Sequence, residues 1–253
     1  MLSICIPTLN EEKFLPATLK SIYDQTFQDF EVIIADKSTD RTREIAKSYG
    51  IVVVEGSNNG PGLGRNLAAQ VAKGDLLLFL DADTVLPNNT FLADAVKEIE
   101  ERKLDFAWPD IAIESTRKID KFFFEFYNWY ARKSLPIWPH APGFCTFARR
   151  SAHEQIGGVD SDVTLAEDHD YVQRAKRAGF SIGLLTTVEP VTTSARRFTK
   201  DGRLVTAMRY TWTELRMMFI GPYKKELPFE YHMGGGDKEE ELKAKKEEDE
   251  KSK

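Results

Sequence analysis

Five consecutive apolar residues, Leu76–Leu80, run unbroken from Gly74-Asp75 to Asp81-Ala82-Asp83. A strand with no polar alternation has both faces buried, as strands of parallel α/β sheets do. Ligands of open α/β sheets bind beyond the carboxyl ends of the strands, which places Asp81 and Asp83 at the mouth of a site. On an extended strand, side chains alternate with period two, so both carboxylates would point to one side. Such a pair of hard oxygen donors suits Mg2+ or Mn2+ carrying a diphosphate. The simpler reading is a cap on the turn Thr84–Pro87, a common task for aspartate.

The residues before this strand alternate between two periodicities. Leu2–Pro7 is an apolar strand stopped by proline, and Asn10 is placed to cap a helix with Glu11 and Glu12 in its first turn and Phe14, Leu15, Leu19 and Ile22 on one face. Glu31–Asp36 is a second strand. Ser38, Thr39 or Asp40 caps a helix that reaches Tyr49 and stops at Gly50, and Ile51–Val54 is a third strand. Gly60-Pro61-Gly62-Leu63-Gly64 reads as a loop, with a helix over Arg65–Lys73. This order implies a parallel sheet flanked by helices. Pro7–Asn10, Asp36–Asp40, Glu55–Arg65 and Asp81–Asp83 then converge on one edge as a nucleotide-sized site. The glycines follow the third strand, whereas Pro7-Thr8-Leu9-Asn10 has none, so this is not a dinucleotide fingerprint. The lysine of a phosphate-cradling loop is also missing.

Beyond a helix over Asn88–Arg102, with Ala95, Val96 and Ile99 inward, and a strand over Leu104–Trp108, the alternation ends. Ile119–Trp138 is crowded with aromatics, which at helical spacing are ordinarily core. Core is the first reading here too; the second, suggested by their spread over nearly every face with Arg132 and Lys133 at the end, is a membrane interface or an acceptor groove. Gly143–Ala148 is a strand, followed by Arg149-Arg150 and a short helix to Gly157-Gly158. Glu167–Ala178 is a helix with Tyr171, Val172, Ala175 and Ala178 on one stripe, and Thr164–Glu167 fits a capping box. Short strands over Ser181–Leu185 and Val188–Val191 precede a loop carrying Arg196 and Arg197 and a last helix over Leu204–Ile220. Residues 1–105 are expected to form a nucleotide-sugar-binding half, 106–233 an acceptor-binding and catalytic half of the same domain, and 234–253 a charged, mobile tail.

Composition removes several classes. A formal net charge of -5 over 253 residues gives no electrostatic case for nucleic acid. No apolar run approaches the roughly 20 residues that span a bilayer, and no basic segment precedes an apolar one at the start, so no secretory signal is read. Cys5 and Cys145, both in apolar strand-like stretches, read as buried thiols of a reducing compartment. The expected location is cytoplasmic, with the inner face of the cell membrane as the place where the aromatic segment would make contact.

Ile6-Pro7-Thr8-Leu9-Asn10-Glu11, Asp36-Lys37-Ser38-Thr39-Asp40, Gly64-Arg65-Asn66, Asp81-Ala82-Asp83, Gly157-Gly158-Val159-Asp160 and Glu167-Asp168 follow one another with a specific spacing. In that order they resemble the family 2 glycosyltransferases of the GT-A fold, over nearly everything from Leu2 to Phe219. The resemblance implies a Rossmann-like, mostly parallel sheet with a smaller mixed region on the acceptor side. It also implies an inverting transfer from a nucleotide-diphosphate sugar of UDP or GDP type to a glycan or lipid-linked acceptor. Pro7, Thr8 and Glu11 would line the nucleoside, Asp36 would meet the base, and Asn10, Ser38, Gly64, Arg65 and Ala82 would lie along the donor. Asp81 would lie near the ribose or metal, Asp83 would hold Mn2+ or Mg2+, Asp168 would be the catalytic base, and Glu167 would support the acceptor or its neighbour. Arg65, Arg149, Arg196 and Arg197 are candidates for the diphosphate or an anionic acceptor, each of which alone reads as a surface charge. Lys37 stands where the family's Asp-Asp-Gly-Ser-x-Asp has glycine, and the Gln-x-x-Arg-Trp motif of processive synthases has only Thr193–Phe198 as a distant analogue.

Two other readings compete. A nucleotidyltransferase would carry a glycine-rich, Arg/Lys-containing loop straight after the first strand, which Pro7–Glu11 lacks. A non-catalytic nucleotide-sugar-binding protein would need no Glu167-Asp168 pair.

Overall fold

The computed structural model describes residues 1–57, 60–194 and 203–224. Its centre is the apolar run, strand β4 (Leu76–Leu80), all five residues of which are buried. Strand β1 (Leu2–Thr8) lies parallel to β4 on one side, and β2 (Phe30–Asp36) and β3 (Val52–Glu55) continue the parallel set outward. On the other side β7 (Cys145–Arg149) runs antiparallel to β4, followed by β5 (Phe106–Trp108) and β9 (Ile182–Leu184). The sheet order is β3-β2-β1-β4-β7-β5-β9. Two small pairs lie apart from it: β6 (Ile111–Glu114) parallel to β10 (Val191–Ser194), and β8 (Val163–Leu165) antiparallel to β11 (Tyr223–Lys224).

Alternate residues of the central strands feed two cores. Ile4, Ile6, Leu76, Leu78 and Leu80 pack with Leu15, Leu19 and Ile22 of α1 (Leu15–Tyr23) and with Phe91, Leu92 and Ala95 of α4 (Phe91–Arg102). Cys5, Leu77 and Phe79 face Ala68 of α3 (Pro61–Val71), Ala152 of α6 (Arg150–Gln155) and Tyr171 and Val172 of α7 (Glu167–Arg177). Each fully buried Leu, Ile or Phe contributes about 1.5–3 kcal/mol, so the sheet is held from both faces. Cys5 and Cys145 are buried free thiols, as read from the sequence, and burial pushes both up. Glu98 of α4 is a buried carboxylate with no motif to announce it. It accepts bonds from the amides and hydroxyls of both Thr186 and Thr187 and from Arg102. Although burial disfavours its charge, these donors hold it down to about 2, and the bonds pin the loop after β9 to α4.

Several expectations are corrected. Asn10 caps no helix: α1 begins at Leu15, and Asn10 takes a left-handed φ of 57°, a conformation asparagine tolerates. The glycine segment is not a loop, because Pro61 starts α3 and Gly62 and Gly64 lie inside it. A Cβ on Gly62 would sit 2.9 Å from the Val159 side chain, and one on Gly64 2.8 Å from that of Pro7, so the glycines let α3 approach its neighbours closely. Asp81–Asp83 follows β4 as a turn closed by Thr84 N–H on Asp81 O at 3.1 Å, not as extended strand. The Thr164–Glu167 capping box does not form. Thr164 belongs to β8 and donates to Tyr223 O, and Ala166, at a left-handed φ of 58°, leads into α7. The last predicted strand lies at Val191–Ser194 rather than Val188–Val191.

The aromatic segment forms α5 (Lys118–Ser134), but it is not core. Only Asp120 and Ala131 of that helix are buried, whereas Phe122, Phe123, Phe126 and Trp129 are exposed. Arg203–Phe219 forms α8. No helix among the described residues is long and apolar enough to cross a membrane. The expected tail, and Arg196 and Arg197, lie outside the described residues.

Candidate active site

Strand register aligns Thr8 with Asp36 and Asp36 with Glu55, so the loops after β1, β2 and β3 leave one edge of the sheet together. The first two are laced to each other. Asn10 N–H donates to Ser38 Oγ at 2.8 Å, and Asn10 Oδ1 accepts from Thr39 N–H at 2.9 Å. Glu11 N–H donates to Thr42 Oγ1 at 2.9 Å, and Glu12 N–H to Asp40 Oδ2 at 3.1 Å. The left-handed turn at Asn10 gives that side chain its reach.

Asp36 is wholly buried beneath these loops. Its Oδ1 accepts from Thr8 Oγ1 at 2.7 Å and Ser38 N–H at 3.2 Å, and its Oδ2 from Arg43 Nε at 2.9 Å. Burial pushes the carboxyl up, but those donors outweigh it and hold it below its ordinary value. Asp36 therefore anchors the floor of this pocket as a charged group. Lys37 needs no glycine-like backbone, since its φ is not among the positive ones, and its Nζ donates to Glu55 Oε1 at 2.7 Å.

The second half of the site is built around Arg65. This residue, a candidate for the donor whose competing reading was a surface charge, is 4 % exposed. Nη2 donates to Asp81 Oδ1 at 2.9 Å and Nη1 to Glu167 Oε1 at 2.8 Å. Arg65 thus ties the turn after β4 to the first residue of α7, 86 residues on in the chain. Asp168 lies beside it: a Cβ on Gly143 would meet Asp168 Oδ2 at 2.9 Å and Arg65 Nη2 at 3.2 Å. Asp168 Oδ2 accepts from Gly143 N–H at 2.7 Å, and Oδ1 from His169 N–H at 2.9 Å. The carboxylate is oriented by two backbone amides and by a glycine that leaves it room. Its neighbour Asn66 clamps the Gly157–Asp160 turn, donating to Val159 O at 2.7 Å and accepting from Val159 N–H at 2.9 Å.

Charge in this half is unbalanced. Burial works against the Arg65 guanidinium, but Asp81, Glu167 and Asp168 together raise its pKa. Burial pushes Asp81 up, aided by Asp83 and Asp168 and opposed by Arg65, and it pushes Glu167 up, aided by Asp168. Three carboxylates act on one guanidinium and a fourth, Asp83, acts on Asp81, a surplus of hard oxygen donors that fits a divalent cation. Asp83 and Asp81 are the residues that would hold it, with Arg65 already on Oδ1 of Asp81.

Behind Asp168 is a network with no sequence signal, because its members lie far apart. Glu214 of α8 accepts on Oε1 from Trp138 Nε1 at 2.7 Å and from Tyr130 OH at 3.4 Å, and the same oxygen lies 2.6 Å from His140 Nε2. Its Oε2 is 3.6 Å from His169 Nδ1. Burial disfavours the Glu214 charge, but His140 and His169 hold the carboxyl well below its ordinary range. His140, His169 and Glu214 have the atoms of a metal cluster, yet Oε1 is already engaged by three groups, and the arrangement works as a bolt between α5, α7 and α8.

Of the residues singled out in the sequence, Pro7, Thr8, Asn10, Glu11, Asp36 and Ser38 are brought together at the ends of β1 and β2, and Arg65, Asp81, Ala82, Asp83, Glu167 and Asp168 around the turn after β4 and the start of α7. Gly64 serves packing against Pro7. Arg149 is corrected: it pairs with Leu76 at the start of β4, at the opposite end of that strand from Asp81, and binds Glu100 at 2.8 Å. Gly143, His140, His169 and Glu214 were not anticipated.

Sheet order and the placing of both carboxylate pairs at one edge define the fold of a GT-A glycosyltransferase. The family model described as Glycosyl transferase family 2 matches residues 3–157, and the chain belongs to that family. Among curated relatives, the poly(ribitol-phosphate) beta-N-acetylglucosaminyltransferase TarS of Staphylococcus aureus is 36% identical over 112 residues, 41% of this chain and 19% of the relative. A PGL/p-HBAD biosynthesis glycosyltransferase of Mycobacterium bovis is 36% identical over 124 residues, 46% of this chain and 48% of the relative. The chain thus spans from about a fifth to about a half of these relatives. A crystal structure of S. aureus TarS with UDP superposes with a TM-score of 0.62 at 23% identity, covering 81% of this chain and 64% of that one. The mannosyltransferase PcManGT of Pyrobaculum calidifontis, in complex with GDP-Man and Mn2+, gives 0.66 at 23% identity, covering 84% and 61%.

Proposed function

We propose that this chain transfers a sugar from a nucleotide-diphosphate sugar, of UDP or GDP type, to a hydroxyl or phosphate of a glycan or lipid-linked acceptor, with inversion at the anomeric carbon and with Mn2+ or Mg2+. The reading rests on one observation above all: Arg65 bridges Asp81, on the donor side, to Glu167, beside Asp168. One buried cation thereby sets the distance between the group that faces the leaving diphosphate and the group that faces the acceptor. The neighbours that carry UDP in one case and GDP-Man with Mn2+ in the other support a donor of that class.

Each half of the cleft then has a task. The laced loops around Asp36 hold the nucleoside, with residues 1–105 as the donor half and 106–233 as the acceptor half. Asp168 takes the proton of the acceptor hydroxyl as its oxygen attacks the anomeric carbon from the face opposite the diphosphate. A new carbon–oxygen bond forms while the sugar–phosphate bond breaks, and its electron pair leaves on the diphosphate. A cation held by Asp83 and Asp81 would supply Lewis-acid stabilisation of that developing charge. Glu167 keeps Arg65, and through it Asp81, in place. The setting is cytoplasmic, at the inner face of the cell membrane.

Incubating the full chain with UDP- and GDP-sugars and Mn2+ should release nucleoside diphosphate from at least one donor. Asp83→Asn should lower kcat/KM by more than the roughly 10–100-fold that loss of an outer-shell partner of a metal ligand costs, and chelation should do the same. Wild-type rates in Asp83→Asn would remove the metal from the mechanism, and no release from any donor would overturn the reading itself.

A further inference from the structure

The long helices α5 and α8 carry apolar side chains that no other described residue covers. On α5, Phe122, Phe126 and Trp129 recur at steps of four and three residues and are 59%, 55% and 54% exposed. On α8, Met208, Trp212 and Leu215 recur at the same steps and are 63%, 57% and 47% exposed, and Phe219, one turn on, is 78% exposed. Stripes at this spacing form one face of a helix, and in a folded domain that face normally points inward. Here the inward face is mixed, with Ala131 and Met217 buried alongside Asp120 and Thr213, and Tyr130 and Glu214 meet across the two helices. Glu214 also reaches His140 and approaches His169, next to Asp168. The helices are therefore a wall beside Asp168 whose polar groups are gathered within, while its aromatic stripe lies without.

Charge identifies what the outer face meets. The chain carries a formal net charge of -5, but of the three acids on these two helices Asp120 is buried and Glu214 sits in its network, which leaves Glu125 as the one exposed acid beside the stripe. Arg117, Lys118, Lys121 and Lys133 remain exposed around the aromatic stripe. Aromatic and aliphatic side chains ringed by Lys and Arg match an interfacial helix on an anionic bilayer, with its rings at the headgroup level and its cations on lipid phosphates. A two-fold contact with a second copy would set this basic rim against itself, because the same patch is used on both subunits.

We propose that α5 and α8 form a docking face for an anionic lipid surface, on which the protein lies without crossing it. The acceptor half of the cleft then opens beside the bilayer. Lipid binding needs no turnover, so this proposal and the glycosyl-transfer reading fail separately. The test is flotation of the full chain with phosphatidylcholine vesicles and with vesicles containing phosphatidylglycerol, at low and high salt. Co-flotation is expected with the anionic vesicles only, and should fall several-fold as salt rises. The exposed triple variant Phe122→Ser, Phe126→Ser, Trp129→Ser should lose at least tenfold in partitioning while its melting temperature stays at the wild-type value. Absence from the anionic vesicles at low salt would overturn the proposal. So would light scattering that shows a wild-type dimer which the triple variant dissociates.

Discussion

Asp168→Asn is expected to slow sugar transfer by roughly 10²–10⁴-fold, the range that general bases contribute, with donor affinity close to wild type. The amide cannot take the acceptor's proton, whereas donor binding draws on the opposite half of the cleft. The structure adds a structural cost, because Asp168 accepts from Gly143 N–H on one oxygen and from His169 N–H on the other. Asparagine has one acceptor oxygen, so its amino group faces one of these amides, at a cost of about 1–3 kcal/mol. Single-turnover rates measured well below the melting transition, beside donor affinity, separate the two effects. A folded variant that transfers sugar at a comparable rate would reduce Asp168 to a residue that orders the start of α7.

Arg65→Met is expected to be the most destabilising single substitution in the site. Arg65 is the only cation bonded to Asp81 and Glu167 among the described residues, and its side chain is 5% exposed. Removing one partner of a buried ion pair costs about 3–5 kcal/mol, and here the cost falls chiefly on Glu167, whose side chain is 14% exposed, since that of Asp81 is 36% exposed and open to water. For a chain of this size that corresponds to a fall in Tm of roughly 6–20 °C. Arg65→Lys keeps the charge but not the fork that reaches two carboxylates at once, and should fall between wild type and Arg65→Met. Thermal unfolding by circular dichroism is sufficient to read the series. A Tm for Arg65→Met within a degree or two of wild type would mean that the carboxylates are not held by this guanidinium.

The parallel part of the fold was legible because burial on both faces leaves an unbroken apolar run, and Leu76–Leu80 is one. The antiparallel insertion of β7 between β4 and β5 was not, since nothing local to Cys145–Arg149 names its neighbours. In the Gly60–Gly64 segment, the flexibility of glycine argued for a loop, while its lack of a side chain was being used for close helix packing. The aromatic helix shows the limit of periodicity, which defines a face but not the side on which solvent lies. Carboxylates were easier to find than what holds them. Asp81, Asp83, Glu167 and Asp168 stand in short motifs, whereas the amide of Gly143 and the side chain of Glu214 act from elsewhere in the chain. Arg65 shows the same gap: its identity was visible, and its burial between two acids was not.

Melting temperatures of the full chain with UDP, GDP, dTDP and CMP, each with and without Mn2+, test whether this cleft is a metal-assisted diphosphate site. At least one nucleoside diphosphate should raise Tm with Mn2+ and do so much less without it. A hundredfold excess over Kd stabilises by about 2.7 kcal/mol, which is roughly 5–11 °C for a chain of this length. No rise with any of the diphosphates in the presence of Mn2+, or an equal rise without metal, would contradict the assignment of the Asp81–Asp83 turn.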